Sequence, residues 1–170
     1  MLVLCSGLPG SGKSTLSTWL ATQVPGVLLS IDVIEAALYA GGVQPGSGME
    51  TSVPAVVNAL ATHHLALGHT VIVDTVLEDE SQRTPFRALA EREATSLAVI
   101  EVVCSDRMLH RAHYMSRPPL VPYHSHDWGH VERVEARYQP WTDERLVVDA
   151  VSPVTVNGPK AEAYLRTKRR

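Results

Sequence analysis

The chain has 170 residues, of which 45% are hydrophobic and 19% are charged, a globular balance that excludes the disordered class and suffices for one compact core. A net charge of -3 at pH 7 argues against a general nucleic-acid binder, because that class draws its affinity from clustered Lys and Arg; the basic run at 166–170 is expected to be a solvated terminus. No targeting peptide is apparent and no apolar stretch approaches the roughly 20 residues that span a bilayer, so we expect a soluble, cytoplasmic protein without a membrane partner.

Five short apolar runs alternate with helical patterns along the chain. They lie at 2–5, 27–31, 70–74, 97–104 and 146–149. Because Val, Leu and Ile are nearly continuous in them and do not alternate with polar residues, each run is predicted to be a parallel strand buried on both faces. Cys5 and Cys104 fall in these runs without C-x-x-C spacing, which favours buried, reduced thiols. The sequence predicts a three-layer α/β fold with a five-stranded parallel sheet and helices on both faces.

Start and stop signals predict the helices between these strands. The predicted helices run from the glycine loop to about Gln23, from near Ser52 (with Pro54 in the first turn) to Gly68, from 81–85 to about Ala94, from Asp106 to about Ser116, from an Asp127 cap to Tyr138, and onward from Pro159. Two glycine- or proline-rich stretches, 41–48 and 117–126, are predicted to be mobile or functional loops.

A phosphate-binding motif follows the first strand directly. The residues Gly7-Leu8-Pro9-Gly10-Ser11-Gly12-Lys13-Ser14 match G-x-x-x-x-G-K-[ST], and Thr15 completes the predicted nucleotide-binding segment. The glycines let backbone N–H groups surround phosphate oxygens, and the helix N-terminus adds its dipole. We expect Lys13 to reach the β- and γ-phosphates and the Ser14 hydroxyl to ligate Mg²⁺. The motif predicts binding of ATP with Mg²⁺; the alternative is a glycine-rich turn without phosphate.

Features of other P-loop classes are missing. The chain has no N-K-x-D guanine motif, since the tetrapeptide at 157–160 lacks the Asp, and it has no L-S-G-G-Q signature. An ATPase would usually place a water-activating Glu after the acid that ends strand three, but Asp74 is followed by Thr75. These absences favour a kinase.

An acidic residue is predicted to follow strand two. Asp32 comes after the run Leu28-Leu29-Ser30-Ile31, and ligands of such sheets bind beyond the carboxyl ends of the strands. A carboxylate there can accept the proton of an attacking hydroxyl, which makes Asp32 the candidate general base. The alternative is a helix N-cap for Val33 onward.

A second carboxylate, Asp74, ends the hydrophobic run Val71-Ile72-Val73 in the manner of a Walker B element. It is a candidate to hold Mg²⁺ or to position Ser14. A plain cap at the end of the strand is the alternative.

Arginines in the predicted fourth helix precede a proline-rich loop. Arg111 and Arg117 are the candidates to close over the triphosphate and neutralise charge in the transition state. The alternative is a helix with a solvated basic face. The pairs His63-His64 and His124/His126 lack further ligands at metal-binding spacing, so a metal site there is disfavoured.

Together these features resemble the small P-loop kinases, a group that includes the zeta-toxin-like and chloramphenicol-phosphotransferase-like kinases and the kinase domain of bacterial polynucleotide kinase. The resemblance covers about residues 1–117. It implies Asp32 as general base, Lys13 and Ser14 on ATP and Mg²⁺, and lid arginines on the phosphates. We expect one P-loop kinase domain over 1–170, with a lid and acceptor loop at about 106–128.

The sequence identifies the phosphate acceptor less clearly than the nucleotide. Polynucleotide kinases that resemble this chain carry an Arg three residues after the base, where this chain has Glu35. After the acid that ends strand three they tend to have D-x-T-N or D-T-N, whereas Asp74-Thr75 is followed here by Val76. We therefore expect a small hydroxyl compound, amine-bearing acceptors included. The alternatives are a polynucleotide 5′-hydroxyl, with Arg83 or Arg87 supplying cations, and a non-catalytic nucleotide-binding regulatory protein.

Overall fold

A computed structural model describes residues 1–44, 48–117 and 127–169, with the side chain of Glu50 left aside. Within these ranges the strands are β1 (Leu2–Ser6), β2 (Gly26–Ser30), β3 (Thr70–Asp74), β4 (Leu97–Val103) and β5 (Arg145–Asp149). The helices are α1 (Lys13–Gln23), α2 (Ile31–Ala40), α3 (Met49–Ala66), α4 (Glu80–Arg92), α5 (Arg107–Met115), α6 (Trp128–Glu135) and α7 (Val154–Lys168).

The strands form one sheet in the order β2-β3-β1-β4-β5, and every described pair is parallel. β1 lies at the centre, so the loop that follows it emerges from the middle of the sheet edge where all five strands end. This arrangement confirms the predicted three-layer α/β class.

Two hydrophobic layers cover the sheet, and the central strand feeds both. Leu2 and Leu4 of β1 pack in the layer that holds α2, α3 and α4, whereas Val3 and Cys5 pack in the layer that holds α1 and α7. Successive side chains of a strand point to opposite faces, so a strand buried on both faces must be apolar throughout. All five residues of β1 are buried, as are all five of β3.

The structure corrects three predicted boundaries. α3 begins at Met49, so Pro54 lies in its second turn and not in its first. α7 begins at Val154 after Pro153, and Pro159 lies inside it and does not open it. The earlier start follows from packing, because Asn157, Ala161 and Leu165 recur at helical spacing and are all buried. α6 ends at Glu135, three residues before the predicted end.

The two cysteines differ in their surroundings. Cys5 is buried in β1, whereas Cys104 lies just beyond β4 and is half-buried, and both are free thiols. Burial raises the pKa of the Cys5 thiol, which favours the protonated form over the reactive thiolate.

Parts of the predicted loops lie outside the described residues, namely 45–47 of the first and 118–126 of the second, with His124 and His126. No helix within the described ranges combines the length and the apolar character needed to cross a membrane.

Candidate active site

The phosphate loop joins the central strand to α1. Gly10 has φ +81, in the left-handed region that favours glycine, and an added Cβ would lie 2.7 Å from the Cβ of Tyr114. α1 begins at Lys13 after Gly12, which caps the helix without a side-chain hydrogen bond, and the helical ladder begins with Leu16 N–H donating to the Gly12 carbonyl. The N–H groups of the first turn therefore lack helical partners, which leaves them available to bind a phosphate.

The helix that follows β4 is docked onto this loop. His110 of α5 is buried, and its Nε2 lies 2.9 Å from the carbonyl oxygen of Pro9. Tyr114, one turn later, packs against Gly10 and forms a small apolar cluster with Trp128 and Val131 of α6. α5 and α6 thus form one packed unit that is docked onto the phosphate loop by specific contacts.

The carboxylate predicted to resemble a Walker B acid lies beside the loop. Asp74 ends β3 in register with Cys5 of β1 and Ser30 of β2, and it is 5% exposed. Burial raises the pKa of Asp74, while the positive charge of Lys13 and a hydrogen bond with the Ser14 side chain oppose that rise. Lys13, Ser14 and Asp74 therefore form one electrostatic unit.

Two buried side-chain oxygens at this unit have no hydrogen-bond partner, and they are the two such atoms within the described ranges: Ser11 Oγ and Asp74 Oδ1. Buried polar atoms are almost always hydrogen-bonded, and exceptions call for an explanation such as an ion or ligand. A hydroxyl at Ser14 and an unpaired carboxylate oxygen at Asp74 are the hard oxygen donors that Mg²⁺ takes, so the residues present fit this ion.

Asp32 lies in the first turn of α2, which begins at Ile31 with Ser30 as its N-cap residue. The alternative interpretation, in which Asp32 caps the helix, is therefore wrong. Its Oδ2 accepts a hydrogen bond of 2.7 Å from Nη2 of Arg117, and both side chains are partly exposed. Both side chains interact electrostatically with Asp74, since the negative charge of Asp32 raises the pKa of Asp74 and the positive charge of Arg117 lowers it.

A cavity of about 570 Å³ opens beside Lys13 on the β4–β5 side of the phosphate loop. Its walls are the phosphate loop with the start of α1, the end of α5, and the segment between β5 and α7; the lining residues include Lys13, Ser14, Thr15, His113, Arg117, Ala150, Pro153 and Asn157. This is a volume typical of small-ligand sites. The carboxylates lie toward the other side of Lys13, on β3 and after β2.

The two candidate arginines of the lid are placed differently. Arg117 lines the cavity and contacts Asp32, whereas Arg111 is exposed and does not line the cavity. The reason is helical geometry, since two residues of α-helix turn by about 200°, which puts Arg111 on the face opposite His113. Arg111 is thus not brought into the candidate site.

The cavity wall between β5 and α7 was not anticipated from the sequence. Asn157 is 6% exposed and donates from Nδ2 to the carbonyl oxygens of Asp149 and Ser152, which holds this segment in shape. The available signal was its position, because the segment follows the last strand at the edge where ligands bind. His113 was missed because nothing in its neighbourhood forms a motif.

Arg83 and Arg87 are the candidate cations for a nucleic-acid acceptor, and both contact other groups within the fold. Arg83 is fully buried, donates to the carbonyls of Leu77, Gln139 and Pro140, and lies 4.1 Å from the Trp141 ring centre.

Arg87 forms ion pairs with Glu80 and Asp143, each with a contact of 2.6 Å. Its hydrogen bonds to the two carboxylates raise the pKa of Arg87 and lower that of Asp143. Neither arginine is therefore available to an acceptor phosphate in this arrangement.

A family model described as an AAA domain matches residues 2–115, a span that contains the phosphate loop, both carboxylates and α5. The chain belongs to this family. Among curated proteins, the uncharacterized protein Rv2004c of Mycobacterium tuberculosis is 32% identical to this AAA-domain chain over an alignment of 130 residues, and the match covers 65% of this chain and 26% of that protein. Mb2027c of Mycobacterium bovis matches with the same identity and coverage. The chain thus spans about a quarter of the length of the curated relatives it matches.

Solved structures share the whole fold of the AAA-domain chain. A sugar kinase from Janibacter sp. superposes with a TM-score of 0.71 at 14% identity, covering 97% of this chain and 94% of that one. A gluconokinase from Sinorhizobium meliloti gives 0.66 at 19% identity, with 98% and 91% covered. The APS kinase CysC of Mycobacterium tuberculosis, in complex with AMPPNP and APS, gives 0.71 at 16% identity, with 97% and 96% covered. The resemblance to the small P-loop kinases is confirmed at the level of the fold.

Proposed function

We propose that the chain transfers the γ-phosphate of ATP to a hydroxyl group of a small acceptor. The observation that carries the proposal is the convergence of Lys13, Asp74, Asp32 and Arg117, which come from four separate segments and act electrostatically on one another beside the phosphate loop. Two cations and two carboxylates at the exit of a phosphate site are what in-line phosphoryl transfer needs, since the enzyme's work is mainly positioning and charge stabilisation.

The nucleotide and the acceptor are proposed to bind on opposite sides of Lys13. The nucleotide occupies the cavity on the β4–β5 side, with its phosphates on the N–H groups of the phosphate loop and on the Lys13 ammonium. The acceptor enters from the side of α2, where Asp32 lies. The γ-phosphorus is then between donor and acceptor, as in-line attack requires.

Asp32 takes the proton in this scheme. The acceptor oxygen forms a bond to the γ-phosphorus, the bond from that phosphorus to the β,γ-bridging oxygen breaks, and the acceptor O–H proton goes to the Asp32 carboxylate. ADP leaves with the electron pair of the broken bond. Ser14 and Asp74 would hold Mg²⁺, which neutralises charge on the phosphate oxygens when it is bound.

Arg117 is assigned two successive contacts. In the structure it donates to Asp32 at 2.7 Å, which orients the carboxylate. Since Arg117 also lines the cavity, a bound triphosphate offers it a competing and more highly charged acceptor. Transfer of the guanidinium to the phosphate would release Asp32 to serve as a base.

The acceptor is proposed to be a small hydroxyl compound that carries an amine. Glu35 lies one turn after Asp32 on α2 and is partly buried. Two carboxylates one helical turn apart support an acceptor with an ammonium group over one with a phosphate. The engagement of Arg83 and Arg87 within the fold weakens the polynucleotide alternative, because their charges are already neutralised or enclosed. A non-catalytic regulatory role would be indicated by a missing base, and it is disfavoured because Asp32 is present.

A screen of hydroxyl compounds tests the proposal. The chain is incubated with γ-labelled ATP and Mg²⁺ against amino sugars, aminoglycosides, neutral sugars and an oligonucleotide with a free 5′-hydroxyl. Label is expected in at least one small acceptor with an amine, with little in the oligonucleotide. Labelling of the oligonucleotide alone at micromolar concentration would contradict the acceptor class. Nucleotide binding without transfer to any acceptor would favour the regulatory alternative.

A further inference from the structure

The turn after α3 lies at the opposite end of β3 from Asp74, and it brings two histidines together. The Gly68 N–H donates to the Leu65 carbonyl at 2.9 Å, and the His69 N–H donates to the His64 carbonyl at 3.0 Å, while Gly68 has φ +80. These two bonds and the left-handed glycine define a Schellman motif. In that motif His64 and His69 occupy the two positions whose side chains the backbone brings into contact.

The side chains at those positions are usually apolar, but here both are imidazoles. Nδ1 of His64 lies 3.3 Å from Nδ1 of His69, and the ring centres are 5.5 Å apart with planes inclined by 29°. His63 meets His64 edge-on, with ring centres 5.4 Å apart. From the sequence, a metal site at the pair His63-His64 was disfavoured because no further ligand was evident. The turn brings His69, five residues after His64, into contact with His64.

The separation of the two nitrogens matches that of two ligands on one metal ion. A Zn²⁺ ion lies about 2.0–2.1 Å from a histidine nitrogen, so two such ligands in tetrahedral geometry are about 3.3–3.4 Å apart. We propose that His64 and His69 bind a divalent transition-metal ion through their facing Nδ1 atoms, with water in the remaining positions.

The proposed site has two protein ligands. No group of three or more His, Cys, Asp or Glu side chains in the described parts of the chain is arranged to hold an ion, so we expect an exchangeable site and not a structural one that folding requires. Preorganisation is its main advantage, because the hydrogen bonds of the turn hold the two rings together before an ion arrives.

The site is separate from the kinase chemistry. The five residues of β3 span about 17 Å, and Asp74 ends the strand that Thr70 begins. A bound ion would clamp the last turn of α3 to the start of β3. We therefore expect it to raise thermal stability without being needed for nucleotide binding, and the proposal does not depend on the proposed function.

Isothermal titration of the tag-free chain with Zn²⁺ and Cu²⁺, without nucleotide, tests the site. One equivalent is expected to bind, with Cu²⁺ tighter than Zn²⁺. His69→Phe keeps a ring in the turn and so preserves the contact of the motif, but it removes a ligand; we expect at least a tenfold loss of affinity with an unchanged melting temperature in the absence of metal. His64→Phe should behave alike.

Two matched controls remove other histidines. His63→Ala deletes the adjacent ring, and the double variant His124→Ala/His126→Ala removes the other closely spaced pair in the sequence. Both are expected to keep wild-type affinity. Equal metal affinity of His69→Phe and the wild-type chain would overturn the proposal. Failure of the wild-type chain to bind either ion below millimolar concentration would overturn it too, and the contact between the two nitrogens would then be a hydrogen bond between two neutral rings.

Discussion

Replacement of Asp32 by Asn separates a catalytic role from a structural one. The amide is nearly isosteric and its oxygen can still accept the hydrogen bond from Arg117, but it cannot take a proton from an acceptor hydroxyl. General-base catalysis contributes about 10²–10⁴ in rate, so we expect turnover to fall by at least about 10², which corresponds to roughly 2.7 kcal/mol of transition-state stabilisation.

The effect on folding should be much smaller. The side chains of Asp32 and Arg117 are 40% and 31% exposed, so water screens the pair and its loss should cost about 0.2–1 kcal/mol of unfolding free energy. For a domain of this size that is a shift of at most about 4 °C in melting temperature. The expected rate effect therefore exceeds the expected stability effect, and the two measurements distinguish the roles.

The assay measures kcat and KM for the best acceptor from the screen, ATP affinity by titration calorimetry, and melting temperature. Asp79→Asn is the matched control, because Asp79 caps α4 by accepting from the Gln82 N–H, and Asn caps a helix about as well as Asp. We expect this control to retain wild-type turnover. Turnover of Asp32→Asn within a few-fold of wild type, with folding intact, would refute the assignment of Asp32 as the base.

Four further predictions follow from the same geometry. Lys13→Ala should weaken ATP binding by at least tenfold and abolish transfer, and undiminished ATP affinity in calorimetry would remove the assignment of the phosphate loop. Arg117→Lys keeps the charge but loses the planar fork, so it should lower kcat more than ATP affinity, whereas the exposed Arg111→Lys should stay within a few-fold of wild type; equal turnover of both variants would count against the lid role of Arg117. Arg83→Met removes a fully buried guanidinium that donates to several carbonyl oxygens, and it should destabilise the chain by about 3 kcal/mol in chemical denaturation. A loss below about 0.5 kcal/mol, which is the range of a surface substitution, would mean that this burial is not energetically important. Burial raises the pKa of Asp74 in the folded chain, so the folded state holds the proton more tightly than the unfolded state, and stability falls as pH rises from the unfolded pKa of 3.8 through the folded value. Asp74→Asn should therefore raise the melting temperature of the ligand-free chain at pH 7, while Mg²⁺-dependent transfer is lost. A lowered melting temperature would contradict the expected direction.

The sequence was most informative where local chemistry dictates structure. The phosphate loop needs glycine at Gly10 and a basic residue at Lys13, so its motif predicts the strand, the turn and the helix together. The strands were legible for a related reason, because a central parallel strand such as β1 is buried on both faces and must be apolar at every position. The predicted class and the resemblance to small P-loop kinases were confirmed in consequence, while the roles of the site residues stay predictions.

Contacts between distant segments were not legible. The pairing of Arg117 with Asp32 joins residues 85 positions apart, and the facing of His64 and His69 depends on a turn. Arg111 and Arg117 were both predicted to act on the phosphates, and the structure distinguishes them, because Arg117 lines the cavity and Arg111 does not.

The sequence by itself therefore determined the class of fold, the phosphate loop and the edge of the sheet at which Asp74 lies, because each depends on residue type and spacing within one segment. The tertiary structure alone decided which charges meet. It enclosed Arg83 within the fold, and it formed the cavity wall from the segment that Asn157 holds after β5. The physical reason is that ion pairing and burial depend on distances in space, and those distances are fixed only when helices from separate parts of the chain pack on a common sheet.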